Sequence, residues 1–177
     1  VLVGSATHQN GVLRLLKALR HEVPGPEVLQ KRCHVRLPKD GGIAQVVKTL
    51  HQPHLGKVSI ARVLSGGFRD IDMVNGEKPA ALYSVHGTMF SKIAQAETGD
   101  VVAFGRLESA KTGDTLAVGK EALVALPRAN IMPPVYMVAI EPENRNDEVK
   151  LASALEKVCE EDPSCLLYTS PSPRDDR

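Results

Sequence analysis

Aromatic residues make up 3% of this 177-residue sequence, and tryptophan is absent. That scarcity excludes the stacking platform with which proteins read single-stranded nucleic acid base by base. Net charge is nearly missing too, since 22 Lys and Arg residues face 21 Asp and Glu residues. No global field draws the chain onto DNA or a membrane surface, and any RNA contact has to come from a local patch. Cysteine is sparse: Cys33, Cys159 and Cys165 stand apart without a C-x-x-C pair. This argues against a disulfide framework or zinc knuckle and leads one to expect a reducing, cytoplasmic setting. No apolar run approaches the roughly 18 residues of a membrane span, and no targeting segment is expected in this sequence. The opening Val1-Leu2-Val3, already in a strand pattern and without Met, is expected to be an internal position of a longer protein.

The apparatus of phosphoryl transfer is also lacking. Such chemistry needs a phosphate cradle, a Mg²⁺ ligand and a positioned water. There is no G-x-x-x-x-G-K-[S/T], and Gly56-Lys57 is followed by Val58 where a metal-binding hydroxyl is required. Lys111 and Asp114 are one residue too far apart for a base-reading Asn-Lys-x-Asp, and no Asn precedes the Lys. Ser5, Cys159 and the scattered carboxylates form no nucleophile–base pattern, so no catalytic residue is expected. His51 and His54, with Cys33 and His34 upstream, lack a second pair at ligand spacing, and no metal site is expected.

What is present falls into sections. Val1–Val3 resembles the end of a buried parallel strand. Val12, Leu15, Leu16 and Leu19 then follow the i, i+3, i+4, i+7 spacing of an amphipathic helix, with Asn10 placed to cap it and Pro24 and Pro26 closing it. Residues 24–41, with three prolines and no sustained period, read as a linker. From Gly42 to about Leu126 short Val, Ile and Leu-rich runs at 43–50, 57–64, 80–85 and 101–107 alternate with glycine-containing turns, the pattern of a small antiparallel barrel. Alternation assigns Val46, Val58, Ile60, Leu82, Val101, Ala103, Leu107 and Leu116 to its core. After Pro133-Pro134, residues 135–140 predict a strand. Residues 147–161 predict a helix with an apolar stripe of Leu151, Ala154, Leu155 and Val158, capped by Asn146. Residues 165–177 have no period and resemble translated sequencing adapter, so they are expected to be an artefactual tail that packs against nothing.

Three stretches resemble one family. Gly4-Ser5-Ala6 with Asn10-Gly11-Val12 resembles the last nucleotide-binding motif and closing helix of the GTP-binding domain of elongation factor G. Gly99-Asp100-Val101-Val102-Ala103 with Lys111-Thr112-Gly113-Asp114-Thr115-Leu116 resembles that family's barrel domain II. Pro134-Val135-Tyr136, Asp147-Glu148-Val149-Lys150-Leu151 and Glu160-Glu161-Asp162-Pro163-Ser164 resemble the first strand and helix of domain III. The resemblance implies a mainly β chain: a translation-factor domain II barrel at 42–127, flanked by an α/β G-domain remnant at 1–23 and the start of a ferredoxin-like α+β domain III at 128–164. It implies a segment of a GTP-dependent, ribosome-binding translation factor, with GTP and Mg²⁺ belonging to the parent protein. Gly4, Ser5 and Ala6 would form the guanine-binding loop, with the backbone N–H groups of Ser5 and Ala6 facing the guanine O6.

Charge alone reads the barrel's cations, Lys57, Arg62, Arg69, Lys78, Lys92, Arg106, Lys111 and Lys120, as an ordinary solvated surface; the resemblance implies that they lean on small-subunit rRNA. A ribosomal-protection or release-factor relative, and a free-standing non-enzymatic barrel module, are the alternatives.

Overall fold

A computed structural model describes residues 1–38, 41–119 and 125–168. Its centre is a hairpin of β1 (Ile43–Gln52) and β2 (Gly56–Ser65), paired Ala44 to Val63, Val46 to Ala61 and Thr49 to Ser59. Gly56 closes the turn with φ of 73°, a conformation that side-chain-bearing residues resist. A bulge between Val46 and Lys48 shifts the register, so that Thr49 comes to lie opposite Ser59. On the other side of β2 lies β7 (Val101–Gly105), then β4 (Ala81–His86) and β5 (Met89–Lys92), while β8 (Thr115–Ala117) pairs with β1. The order β5-β4-β7-β2-β1-β8 is antiparallel throughout, and β3 (Gly67–Arg69) with β6 (Gln95–Glu97) forms a separate two-stranded ribbon.

Together these strands make the expected small antiparallel barrel. Its interior is centred on Phe68 and Phe104, which meet edge to face with ring centroids 5.1 Å apart. Val46, Ala61, Val63, Leu82, Val102, Leu107 and Leu116 pack around them.

The alternation argument chose part of this core correctly and part from the wrong face. Val46, Leu82, Leu107 and Leu116 are inside. On β2 and β7, however, both faces are apolar, and the core takes Ala61, Val63, Val102 and Phe104. Val58 and Ala103 are buried outside that cluster, Ile60 is half-buried, and Val101 is 46% exposed. A period of two locates a strand but cannot say which parity points inward when neither set is polar.

The flanks depart further from expectation. Helix α1 (Val12–Glu22) forms, but Gly11, at φ of 76°, holds the cap position instead of Asn10, and no residue of the helix is buried. Val1–Val3 forms no strand, because among the described residues nothing pairs with it; Ser5 and Asn10 make an isolated bridge instead. Inside the expected linker lies a helix, α2 (Glu27–Cys33). Pro26 presets its first turn, Glu27 sits at the positive end of the dipole, and Lys31 and Arg32 sit at the negative end. Leu29 and Val35 then pack on a second cluster of Leu37, Ile43, Leu64, Ala117 and Leu126, seating this segment against the barrel.

The strand expected at 135–140 is also not formed. Val135, Tyr136 and Met137 are each more than 80% exposed, with no strand to pair with among the described residues. A short turn at Arg145–Asp147 leads into α3 (Glu148–Glu161), whose cap position is held by Asp147 and not by Asn146. Leu151 and Leu155 are half-buried, whereas Ala154 and Val158 are exposed. Residues 165–167, expected to touch nothing, line a cavity beside α3, and 169–177 lie outside the described residues. Among the described residues no helix is long and apolar enough to cross a membrane.

Candidate functional site

Gly4, Ser5 and Ala6 lie in a tight loop leading to α1. The Ser5 N–H donates to the Asn10 carbonyl at 3.0 Å and the Gln9 N–H to the Ala6 carbonyl at 3.2 Å. A β-carbon on Gly4 would stand 2.6 Å from the Asn10 oxygen, so only glycine lets the two arms of the loop approach this closely. The loop carries small side chains at these positions, and the Ser5 N–H, one of the two expected to face a guanine, is engaged within the loop.

The histidines and cysteines singled out in the sequence do not converge. His54 is exposed, Cys33 and His34 lie at the end of α2, and His51 faces a carboxylate of α3. Among the described residues no group of three or more His, Cys, Asp or Glu side chains is placed to hold a metal ion.

The cations divide into three kinds. Arg62, Lys78, Arg106 and Lys111 are exposed on the barrel. Arg69 is paired with Asp72 at 3.0 Å and Lys92 with Asp70 at 3.1 Å. The Asp70 carboxyl is held below its ordinary pKa, first by the Leu82 N–H and then by Lys92. Lys120 lies outside the described residues.

Lys57 was expected on the surface and is instead inside: its side chain is 2% exposed. β2 carries it with the same parity as Ser59, Ala61 and Val63, so its stem runs into the barrel's mouth. There its ammonium donates to the Glu108 carbonyl at 2.7 Å and to Glu160 of α3 at 3.2 Å. The other oxygen of Glu160 meets His51 Nε2 at 2.7 Å, and the His51 backbone N–H donates to Glu161 at 2.5 Å. Burial opposes ionisation of Glu160, but the bonds from His51 and Lys57 outweigh it and hold the carboxyl below the usual carboxylate range. Beside this cluster the barrel mouth and α3 enclose a cavity of about 800 Å³, lined in part by Thr49, Thr112, Lys111 and Lys157. Sequence reasoning missed this cluster, whose members come from opposite ends of the chain.

Comparison with known proteins places these elements. A family model described as elongation factor G domain 2 matches residues 43–119, and one described as elongation factor G domain III matches residues 131–171. An elongation factor G-like protein of Synechocystis sp. is 40% identical over 165 residues, which is 93% of this chain. The chain is elongation factor G-like. A crystal structure of a Thermus thermophilus protein, 29% identical, superposes with a TM-score of 0.71 over 89% of the chain. This elongation factor G-like chain spans 24% of the length of each of those two proteins. The barrel is thus the domain 2 match, and α3 lies within the domain III match.

Proposed function

We propose that this chain is the part of a GTP-dependent, ribosome-binding translation factor in which the domain II barrel joins domain III, with residues 1–23 ending the GTP-binding domain. The observation that carries the reading is the succession of two family matches in one chain, the first over the barrel and the second over α3. That succession disfavours a free-standing barrel module. In this reading Gly4, Ser5 and Ala6 supply the close-approaching backbone of a guanine pocket. The P-loop and Mg²⁺ ligands of the parent protein supply the phosphate chemistry. The barrel relays the nucleotide state to the ribosome by rigid-body movement, and its exposed Arg62, Lys78 and Arg106 contact small-subunit rRNA phosphates in a cytoplasmic setting.

The test is binding of the 177-residue chain to isolated small ribosomal subunits at several salt concentrations. Each neutralised phosphate contributes roughly 0.7 to 0.9 to the slope of log affinity against log salt. Replacing Arg62, Lys78 and Arg106 together by Ala is expected to weaken binding and flatten that slope by about 2 on the same principle. No binding at low salt, or a slope unchanged by the triple substitution, refutes the assignment of this surface.

A further inference from the structure

Among the described residues Lys57 is the charged side chain buried in the barrel. A buried ammonium is costly unless an opposite charge and further acceptors face it. The barrel gives Lys57 a neutral carbonyl, from Glu108, with the Glu77 carboxylate near enough to act on it by charge but not by a hydrogen bond; the carboxylate bonded to it directly is Glu160, 103 residues away in sequence. His51 sits directly across the β1–β2 ladder from Lys57 and takes the second oxygen of the same carboxylate. Two potential cations side by side on one face repel unless an anion bridges them.

The helix gives an independent sign. Its last turn carries Glu160 and Glu161 and no basic residue, the reverse of what the negative end of a helix dipole favours. Those carboxylates weaken an isolated helix and are compensated only when α3 meets the barrel. Its apolar stripe adds little, since no residue of α3 is buried and Val158 is 50% exposed.

We propose that the His51–Lys57 pair is a receptor for the acidic end of α3, and that Glu160 seated between them forms a releasable electrostatic latch joining barrel to helix. The latch rests on geometry within this chain and not on the ribosomal reading above. Other charged groups around it are Glu77 of the barrel, which acts on Lys57 by charge, Glu156, Lys157 and Glu161 on α3, Asp162 beside Lys48, and Lys111 and Arg128 at the cavity rim, where Arg128 pairs with Asp114.

Amide hydrogen exchange on the 177-residue chain tests it, comparing wild type with Glu160→Gln at low and high salt. The expected result is α3 amides that exchange at least roughly tenfold faster in Glu160→Gln, while the strands β2 and β7 keep their protection. Wild-type α3 should loosen at about 1 M NaCl, and the variant should respond less to salt. Glu156→Gln, which removes a carboxylate from the same helix and cavity, should leave α3 protection as it was. Adding Lys57→Met to Glu160→Gln should raise the barrel's denaturation midpoint, because it removes the orphaned ammonium. Equal α3 protection in wild type and Glu160→Gln, equal loss in Glu156→Gln, or no rise on adding Lys57→Met overturns the proposal.

Discussion

Replacing Ser59 by Ala is expected to stabilise the barrel. Ser59 is fully buried, paired across the ladder with Thr49 on one side and Phe104 on the other, and its hydroxyl has no hydrogen-bond partner. Thr49 does not rescue it: the Thr49 hydroxyl accepts from Thr112 at 3.3 Å and makes no hydrogen bond with Ser59. A buried hydroxyl without a partner costs roughly 1–3 kcal/mol, while the alanine methyl removes only one oxygen atom of volume and leaves little cavity. The expected gain is about 1 kcal/mol, or a rise in melting temperature of roughly 4–8 °C for a domain of this size. Urea denaturation followed by far-UV circular dichroism should show a higher midpoint at unchanged slope, as a pure stability change requires. A variant less stable than wild type refutes the reasoning, because it shows that the hydroxyl is satisfied, for instance by an internal water.

The core, a glycine turn and the α3 contact set three further outcomes. Phe104→Ala removes half of the edge-to-face pair at the centre of the core and should cost about 3–5 kcal/mol, enough to leave much of the barrel unfolded in thermal melts. Gly66→Ala should lower the urea midpoint, since φ there is 61° and a β-carbon would collide with the Gly41 carbonyl; a neutral result rejects the strained conformation. The Glu160 carboxyl is held below its ordinary value, so its share of α3 docking is fully present above the normal carboxylate range and is lost as pH falls through the lowered value. Exchange of α3 amides measured from about pH 7 downward should accelerate at the acid end, after correction for intrinsic rates, and should do so less in Glu160→Gln.

The barrel was legible because its signals are local. Short Val, Ile and Leu runs between positive-φ glycines fix where strands begin and end, and four expected runs overlap β1, β2, β4 and β7. The inward parity of β2 and β7 was not legible, because Val58, Ile60 and Ala103 look as suitable for a core as Ala61, Val63 and Val102. The misread elements of the flanks share one cause, that an element exists only if something receives its apolar side. Residues 135–140 have the composition of a strand but no partner to pair with among the described residues, and they stay irregular and exposed. Residues 27–33 look like part of a linker, yet Leu29 and Val35 find the second cluster on the barrel and a two-turn helix forms.

The cluster at the barrel's mouth is the harder case, and it shows what a sequence reading could have used. His51, Lys57 and Glu160 are separated by up to 109 residues, so no spacing rule brings them together. Two local anomalies were nevertheless visible. Lys57 has the same parity as Ser59, Ala61 and Val63, which places a lysine on the side of the strand that turned out to be the core. Glu160-Glu161-Asp162 puts three acids at the end of a helix, where the dipole favours bases. Each is unfavourable alone, and the two have opposite sign. A lysine in the wrong face of a strand and an acidic helix end are best explained by each other, since joining them removes both penalties at once. The unpaired anomaly of one segment is therefore evidence for contact with the complementary anomaly of another, and here that contact lies where the domain II match meets the domain III match.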